Sequence, residues 1–413
     1  MQKSAETISD VITSGLCIGC GLCEAVTGGR VAMEMTDYGA LRPAGVDNLT
    51  EEEEAILLAV CPGTVAMSRP LTSENLDDIW GTYSTMRYAW AGDDDVRYKA
   101  ATGGVLTALG MHLLDTGTVN FVLQVRARQD APMRSEWVMS ETPDEVKKST
   151  GSRYGPTAPL AGFVKALERK QPFAIIAKPC DIGAVHAFSK IDPRVNEYCV
   201  ARMVMVCGGQ SRLTKSQALL TEFEVAEESL STFRYRGYGN PGLTTIETEG
   251  GCTFQKTYNE LWEDEGSWEL ETRCKLCPDA LGEAADIAAA DVWPGGGPTG
   301  EDEGFNGIIV RSDAGEELVR SAAEAKALTL GDFISPDAFN DFQPHQVRKK
   351  HAADARYQGM AEAGLPTIHS DGLRLEELGR NLSSNDRKRQ IEGVKTRIEA
   401  GRFQEPLPIK GEA

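Results

Sequence analysis

Three cysteines stand three residues apart near the N-terminus, at Cys17, Cys20 and Cys23. This spacing wraps a loop around one face of an iron–sulfur cubane, and small residues between the cysteines let backbone amides approach the sulfides. In two-cluster bacterial ferredoxins a nearby fourth cysteine ligates the other cluster. Here Thr27 takes that place, and the next cysteine is Cys61, followed by proline. The pattern predicts one 4Fe–4S cluster on these four cysteines, with structural zinc or idle thiols as alternatives; zinc favours two paired spacings.

Four further cysteines stand where a second site is expected. Cys274 and Cys277 form a CxxC pair before a proline, which alone is open to zinc or dithiol chemistry. Cys180 and Cys207 each follow a short apolar run typical of a buried strand. Both therefore lie beyond the carboxyl ends of parallel strands, where α/β sheets place their sites. The four thiolates would make a second cubane if they converge; the alternative is that Cys180 and Cys207 are small buried residues.

The elements that must position these cysteines divide the chain of 413 residues, which is long enough for two to four domains. Residues 1–70 are predicted to be a ferredoxin-like iron–sulfur module with a helix over about 51–60, which Thr50 and Glu53 begin as a capping box. Residues 331–413 are polar and are predicted to be mostly helical. Their two basic stretches are interpreted as a solvated face in preference to a binding surface.

Residues 86–330 alternate helix-like and strand-like patterns, which is typical of an α/β core. The predicted fold is thus an α/β core with an N-terminal ferredoxin-like iron–sulfur module and a C-terminal helical extension. The core is divided into parts 86–170 and 171–330. Its predicted segments are a helix after Gly104 that ends at Gly117, a strand over 119–125, a helix over about 157–170, buried strands over 173–177 and 203–206, and a hairpin of 244–249 with 252–257.

The overall charge excludes several classes of partner. The chain has 43 basic and 62 acidic residues, a net charge of −19, which disfavours nucleic acid and anionic membranes. It has no apolar run of about 18 residues and no apolar core of a signal peptide, so we expect neither a membrane span nor secretion. A cytoplasmic location, where thiols stay reduced, favours metal binding over disulfides. Cys199 and Cys252 lack partners and are interpreted as structural.

Seven segments together resemble the coenzyme F-420 hydrogenase/dehydrogenase beta-subunit family. The resemblance includes its branch of ferredoxin-dependent divinyl-chlorophyllide vinyl reductases and 7-hydroxymethyl-chlorophyll reductases. It spans about residues 15–300 and is specific for the family, but much less so for the substrate. The segments are CIGCGLC (17–23), ATGGVLTAL (101–109), GSRYGP (151–156), KPCDI (178–182), CGGQ (207–210), YRGYGNPG (235–242) and CKLCPDALGEAADIAAADVWPGG (274–296).

The resemblance implies FAD and two 4Fe–4S clusters. It makes 86–170 the flavin-binding part of the core and places the second cluster in 171–330. A glycine-rich turn at the start of a helix offers free amides and a positive dipole end to a phosphate or a flavin oxygen, which agrees with this reading. The predicted cofactor contacts are Thr102, Gly103, Gly104, Val105, Ser152, Arg153, Tyr154, Lys178, Asp291 and Trp293.

Several of these residues have expected roles. Arg153 would pair with a pyrophosphate, and Tyr154 would stack on a ring. Lys178 would stabilise a reduced anionic flavin; Lys178 and Tyr154 are also the catalytic candidates. Asp291 would hold backbone amides near a cofactor, and Trp293 would pack close by. For each, a purely structural role is the alternative.

The leading functional hypothesis is an iron–sulfur flavoenzyme of the cytoplasm. Electrons would pass from a small carrier, expected to be ferredoxin, through two clusters to FAD and on to an organic substrate. The first alternative is an oxidoreductase or electron-transfer subunit that uses the deazaflavin coenzyme F-420. The second is a non-catalytic metal-stabilised module. Ferredoxins are usually acidic, so docking on this acidic chain requires a local basic patch; a homo-oligomer is left open.

Overall fold

The structure is a computed structural model that describes residues 3–70, 75–262 and 269–408. Seventeen helices are described in these ranges, and four short 3₁₀ turns lie at Val46–Asn48, Pro159–Gly162, Glu227–Ser229 and Pro294–Gly296. The helices are α1 Ile8–Thr13, α2 Leu22–Val26, α3 Glu51–Val60, α4 Asp94–Lys99, α5 Val105–Asp115, α6 Pro143–Lys148, α7 Phe163–Glu168, α8 Pro179–Phe188, α9 Arg194–Tyr198, α10 Leu213–Glu222, α11 Tyr258–Trp262, α12 Thr272–Lys275, α13 Asp313–Glu324, α14 Pro336–Phe342, α15 Pro344–Glu362, α16 Leu375–Arg380 and α17 Ser384–Glu399.

The strands form one large sheet and four small ones. They are β1 Ala32–Met35, β2 Leu41–Ala44, β3 Val65–Met67, β4 Asn75–Asp77, β5 Gly81–Tyr83, β6 Thr85–Ala91, β7 Phe121–Ala127, β8 Ser135–Ser140, β9 Phe173–Ala177, β10 Cys199–Met205, β11 Leu230–Arg234, β12 Thr244–Thr248, β13 Thr253–Lys256, β14 Ile287–Asp291, β15 Asn306–Val310, β16 Leu328–Phe333 and β17 His369–Asp371.

The large sheet has eight strands in the order β16-β6-β15-β14-β10-β9-β7-β8. Its centre is parallel, because β14, β10, β9 and β7 pair in one direction. Its two flanks are antiparallel. All five residues of β9 and of β15 are buried, as expected for strands covered on both faces. The predicted α/β class is therefore confirmed at the level of a mixed fold with a large sheet.

Most predicted elements are present, with shifted ends. Helix α3 begins with the predicted capping box of Thr50 and Glu53. The helix predicted over about 157–170 is instead a 3₁₀ turn followed by the shorter α7. Pro159 lies in the first turn of that segment, where the missing amide of proline is tolerated. The hairpin is formed by β12 and β13.

The N-terminal and C-terminal segments pack against each other. Strand β17 pairs in parallel with β3, with His369 opposite Val65. One buried apolar cluster contains residues from both ends of the chain, among them Leu16, Tyr357 and Phe403. The C-terminal segment is mostly helical, as expected, but it also closes over the module that carries the first cysteines. The ferredoxin-like character of that module stays a prediction.

Within the described ranges, none of the helices combines the length and the apolar character that crossing a membrane requires.

Candidate functional site

The first four cysteines come together where the N-terminal loop meets the end of α3. Burial raises the pKa of Cys17, Cys20 and Cys23, and each of the three is near enough to Cys61 for a thiolate there to raise its pKa further. For Cys17 the pKa rises to about 12. The amide of Gly63 donates to Cys61 Sγ over 3.3 Å. Such amide–sulfur bonds set the reduction potential of a thiolate-held cluster.

Gly19 allows the cysteine loop to close. Its φ of +72° is in the left-handed region, which side chains rarely adopt. An added Cβ would also lie 2.4 Å from the backbone oxygen of Leu41 in β2. The loop therefore needs glycine both for its conformation and for its packing.

The second four cysteines share one small cavity. Cys180, Cys207, Cys274 and Cys277 all line it. Cys180 lies in the first turn of α8, directly after β9, and Cys207 follows β10. These are the predicted positions at the carboxyl ends of two adjacent parallel strands. The amide of Gln210 donates to Cys274 Sγ over 3.3 Å, the same kind of bond as in the first group.

The two cysteine groups are neighbours, joined by two side chains. Arg273 is 2% exposed, and its Nε donates to the carbonyl of Pro62, next to Cys61, over 2.9 Å. The same guanidinium lines the cavity of the second group. Gln210 spans the same boundary, since its Nε2 donates to the carbonyl of Ile18 in the first loop over 3.2 Å.

A large cleft opens beside the second group, with a volume of about 1380 Å³. A single small-molecule site occupies about 300–1,000 Å³, so this cleft has room for a cofactor and a second ligand. Cys207 and Lys178 line both the cleft and the cysteine cavity. Of the predicted cofactor contacts, the cleft is lined by Thr102, Gly104, Val105, Ser152, Arg153, Tyr154, Lys178, Asp291 and Trp293.

The N-terminus of α5 faces the cleft. Gly104 is its N-cap in the left-handed conformation, and no side chain caps the helix there. The amide of Val105 is 3.4 Å from Asn306 Oδ1, while Leu106 and Thr107 line the cleft with first-turn amides that have no partner within the helix. Gly103 differs from its neighbours: it packs against β15, where a Cβ would be 2.9 Å from the amide nitrogen of Asn306.

Lys178 lies between the cleft and the cysteines. Its Nζ donates to Thr157 Oγ1 over 2.7 Å and is 2.9 Å from Asp181 Oδ2. Burial alone would lower the pKa of Lys178, but the negative charges of Asp181, Cys180 and Cys207 outweigh burial and raise it. Asp181 thus favours the charged form of Lys178.

The Asp291 carboxylate accepts hydrogen bonds from side chains, whereas the sequence predicted that it accepts them from backbone amides. It ends β14, accepts from the hydroxyl of Thr102 and is 3.1 Å from a nitrogen of Arg236. The reason is its place at the strand end, where the turn before α5 and the buried Arg236 both reach it. The ring of Trp293 lies 4.7 Å from the Arg236 guanidinium, and its expected packing against a cofactor stays a prediction.

Sequence reasoning missed the role of Arg236 and the presence of Tyr258 and Trp262 at the cleft. Together with Tyr154 and Trp293, these two residues form an aromatic wall of the cleft. Arg236 is buried, donates to Tyr154 Oη over 3.3 Å and lies over the rings of Tyr258 and Trp293. Trp262 packs edge-on against Tyr154 at 4.8 Å. Arg236 stands in YRGYGNPG, a segment that the resemblance marked without a role; the tyrosine and tryptophan of α11 carry no comparable signal.

The Arg153 guanidinium is hydrogen-bonded to other parts of the chain. It donates to the carbonyls of Pro132, Met133, Arg134 and Phe233 and to the hydroxyl of Ser135. The expected pairing with a pyrophosphate is therefore not the role that this geometry gives it; Arg153 holds the surrounding loops together. Tyr154 is half-buried in the aromatic wall, and its ring packs edge-on against the rings of Tyr235 and Trp262.

Among the residues that the structure describes, no three His, Cys, Asp or Glu side chains are arranged as ligands of a single metal ion. A 4Fe–4S cluster on each cysteine group stays a prediction.

Two family models match the chain, and both describe the beta subunit of coenzyme F420 hydrogenase/dehydrogenase. The model of the N-terminal part of that subunit covers residues 86–165, and the model of its C-terminal part covers residues 171–335. Together they take in more than half of the sequence, including the cleft residues from the core and the second cysteine group. Residues 1–85 and 336–413 lie outside both models.

Several curated proteins with similar sequences carry the names of F420-dependent oxidoreductases or of their subunits. The coenzyme F420 hydrogenase subunit beta of Methanothermobacter thermautotrophicus is 22% identical over 70% of this chain and 99% of its own. The F420-dependent formate dehydrogenase 1 subunit beta of Methanococcus maripaludis is 25% identical over 57% of this chain and 59% of its own. The coenzyme F420-dependent sulfite reductase of Methanocaldococcus jannaschii is 22% identical over 77% of this chain and 48% of its own.

A solved structure shares the fold. A chain of the F420-reducing [NiFe] hydrogenase complex from Methanosarcina barkeri superposes with a TM-score of 0.55 at 18% identity, over 71% of this chain and 98% of that one.

Proposed function

Because the chain belongs to the coenzyme F420 hydrogenase/dehydrogenase beta-subunit family, we propose that it is an oxidoreductase that exchanges electrons between a one-electron carrier and the deazaflavin coenzyme F420. FAD would occupy the cleft, and a 4Fe–4S cluster would occupy each cysteine group. The relatives named above are F420 enzymes, which favours the deazaflavin alternative over the leading hypothesis of an organic substrate.

One observation carries the proposal: the cleft and the cysteine cavity share a wall. Cys207, Gly209 and Lys178 line both spaces. Arg273 and Gln210 then join this cavity to the first cysteine group. Two neighbouring groups of four thiols beside a cleft of cofactor size would allow one-electron chemistry to be coupled to two-electron chemistry. When bound, a flavin supplies that coupling, because it accepts electrons singly or in pairs.

In this scheme, residues of the chain bind the cofactors and orient them. The first-turn amides of α5 and the helix dipole suit an anionic group, such as a phosphate of FAD. The ammonium of Lys178 would favour a reduced anionic ring beside Cys207. Asp291 pairs with Arg236, and the rings of Tyr258 and Trp293 pack against each other on the same side of the cleft.

The test is the response of the flavin band to reduced F420 in anaerobically purified protein. We expect reduced F420 to bleach the flavin rapidly, and a one-electron carrier to reoxidise it. Arg236→Met should slow the bleaching by about tenfold or more, equivalent to at least about 1.4 kcal/mol. Arg128→Met is the control, since Arg128 is exposed, pairs with Asp130 and does not line the cleft; its rate should match the wild type.

Two outcomes would contradict the proposal. Bleaching by reduced ferredoxin with no response to reduced F420 would restore the organic-substrate hypothesis. If the purified protein contained neither iron nor flavin, the hypothesis of a non-catalytic module would remain. Zinc in the metal analysis would support that hypothesis.

A further inference from the structure

The C-terminal segment builds a positively charged surface at the cleft. We propose that an acidic one-electron carrier protein docks on it, an inference that rests on the proposed function and names its partner. The cationic surface is defined by Lys275, Arg348, Lys349, Arg356, Arg397 and Arg402, all of which line the cleft.

These six cations have no acidic partner among the described residues, where none forms an ion pair. The contrast within α17 is informative. Arg387 pairs with Asp354 and Lys395 pairs with Glu362, so these two hold the helix to α15. Arg397 lines the cleft instead and donates to the carbonyl of Gly393 in its own helix over 2.7 Å. Arg387 and Lys395 are therefore structural, whereas Arg397 faces the opening.

The cations crowd one another. Arg356 donates to the carbonyl of Lys275 over 2.6 Å, and Thr272 donates to the carbonyl of Arg402 over 3.3 Å. The segments that carry Lys275, Arg356 and Arg402 therefore meet at one part of the cleft, and their like charges lie near one another. Holding like charges together costs free energy, and an anionic partner would recover it.

The rest of the chain repels an acidic partner. Residues 331–413 contain 13 basic and 13 acidic residues, so the whole net charge of −19 belongs to residues 1–330. A negatively charged protein is thus excluded from most of the surface and directed to the cationic one. This is the local basic patch that docking of ferredoxin requires, and the predicted solvated face of the tail supplies much of it.

The surface lies at the second cysteine group. Lys275 stands between Cys274 and Cys277 in sequence, and Lys349 lines the cysteine cavity as well as the cleft. Lys349 also donates to the carbonyl of Gly208, next to Cys207, over 2.7 Å. A carrier bound here places its own redox centre beside these cysteines, which is where electrons must cross.

The exposure of the cations indicates a protein in preference to a small anion. Lys275, Arg348, Arg397 and Arg402 are exposed and come from separate segments. A small anion is normally held by convergent, largely buried donors. Exposed charges spread around an opening are instead typical of the polar rim of a protein interface, where they speed association and fix orientation.

The test measures binding of a purified acidic 2[4Fe–4S] ferredoxin to the anaerobic full-length protein. We expect Arg397→Glu/Arg402→Glu to weaken binding by about tenfold or more. Lys388→Glu is the matched control, because Lys388 lies on α17, is exposed and does not line the cleft; it should change affinity by less than about twofold. Raising the salt concentration should weaken binding of the wild type but barely affect the double variant.

Reduction by dithionite separates this inference from the proposed function. We expect the double variant to bind ferredoxin weakly, while dithionite reduces its cofactors as in the wild type. This result would show that the substitutions impair docking and leave the redox function intact. Three results would overturn the inference: no ferredoxin binding by the wild type, equal affinity in the double variant and the control, or tighter binding of tri-γ-glutamate that displaces ferredoxin, which would assign the cations to a small polyanion.

Discussion

Arg273 contacts both cysteine groups. Burial raises the pKa of Cys61 and of Cys180, and the Arg273 guanidinium opposes the rise in each case. Two iron–sulfur clusters this close together would repel each other through their negative charges. A permanent positive charge between them reduces that repulsion and favours the reduced form of each cluster.

Arg273→Gln should therefore lower the midpoint potentials of both clusters. Loss of one unit charge at this buried position is expected to shift each by on the order of 60 mV, equivalent to about 1.4 kcal/mol. A redox titration followed by electron paramagnetic resonance measures the shift. Arg273→Lys keeps the charge and should stay near the wild-type values; unchanged potentials in the glutamine variant would show that Arg273 serves only packing.

Single residues also show where sequence reasoning succeeds. Cys180 and Cys207 were located correctly because each follows a buried strand, and the ends of adjacent parallel strands meet at one edge of the sheet. Asp291 and Arg153 were placed at the cleft, but their partners were not predicted. Those partners lie far away in sequence, so no local pattern could indicate them.

Among the elements, the loop that carries the first cysteines depends on glycine. Gly19→Ala should remove the N-terminal cluster, because a Cβ would clash with the carbonyl of Leu41. Iron content should fall from about eight to about four per chain. Gly28→Ala is the matched control: Gly28 also has a positive φ, +62°, but open space around it. It should keep its iron and lose about 1 kcal/mol of stability. Equal iron in both variants would contradict the account.

Local signals explain which elements were predicted. Helix α3 was predicted from its capping box, which acts within four residues. The parallel pairing of β17 with β3 was not predicted, because each strand has three residues and the two lie about 300 residues apart in sequence. Pairing of such short strands depends on the surrounding apolar cluster, which only the folded chain assembles.

For the whole molecule, a buried ionic network ties both ends of the chain to the core. Arg42 is fully buried, and its guanidinium is 2.7 Å from Glu271 Oε2 and 2.7 Å from Glu405 Oε2. Glu271 directly precedes α12, which carries Cys274. The first cysteine module, the second cysteine group and the C-terminal segment thus meet at one guanidinium.

Arg42→Met should destabilise the protein strongly, because it leaves the two buried carboxylates of Glu271 and Glu405 to share Arg212 as their remaining cation. The expected loss is about 3–5 kcal/mol. Arg30→Met is the control, since Arg30 pairs with Glu53 at the surface and half of its side chain is exposed; its loss should stay below about 1 kcal/mol. Thermal unfolding of both variants measures the difference, and similar midpoints would contradict a structural role for the network.

The central claim is that two cysteine groups hold two clusters beside a flavin. The most direct test is an anaerobic inventory of iron, sulfide and flavin in the wild type and in Cys277→Ala. The account predicts about eight irons with FAD in the wild type and about four irons in the variant. About four irons in both proteins would remove Cys180, Cys207, Cys274 and Cys277 from the path of electrons and contradict the account.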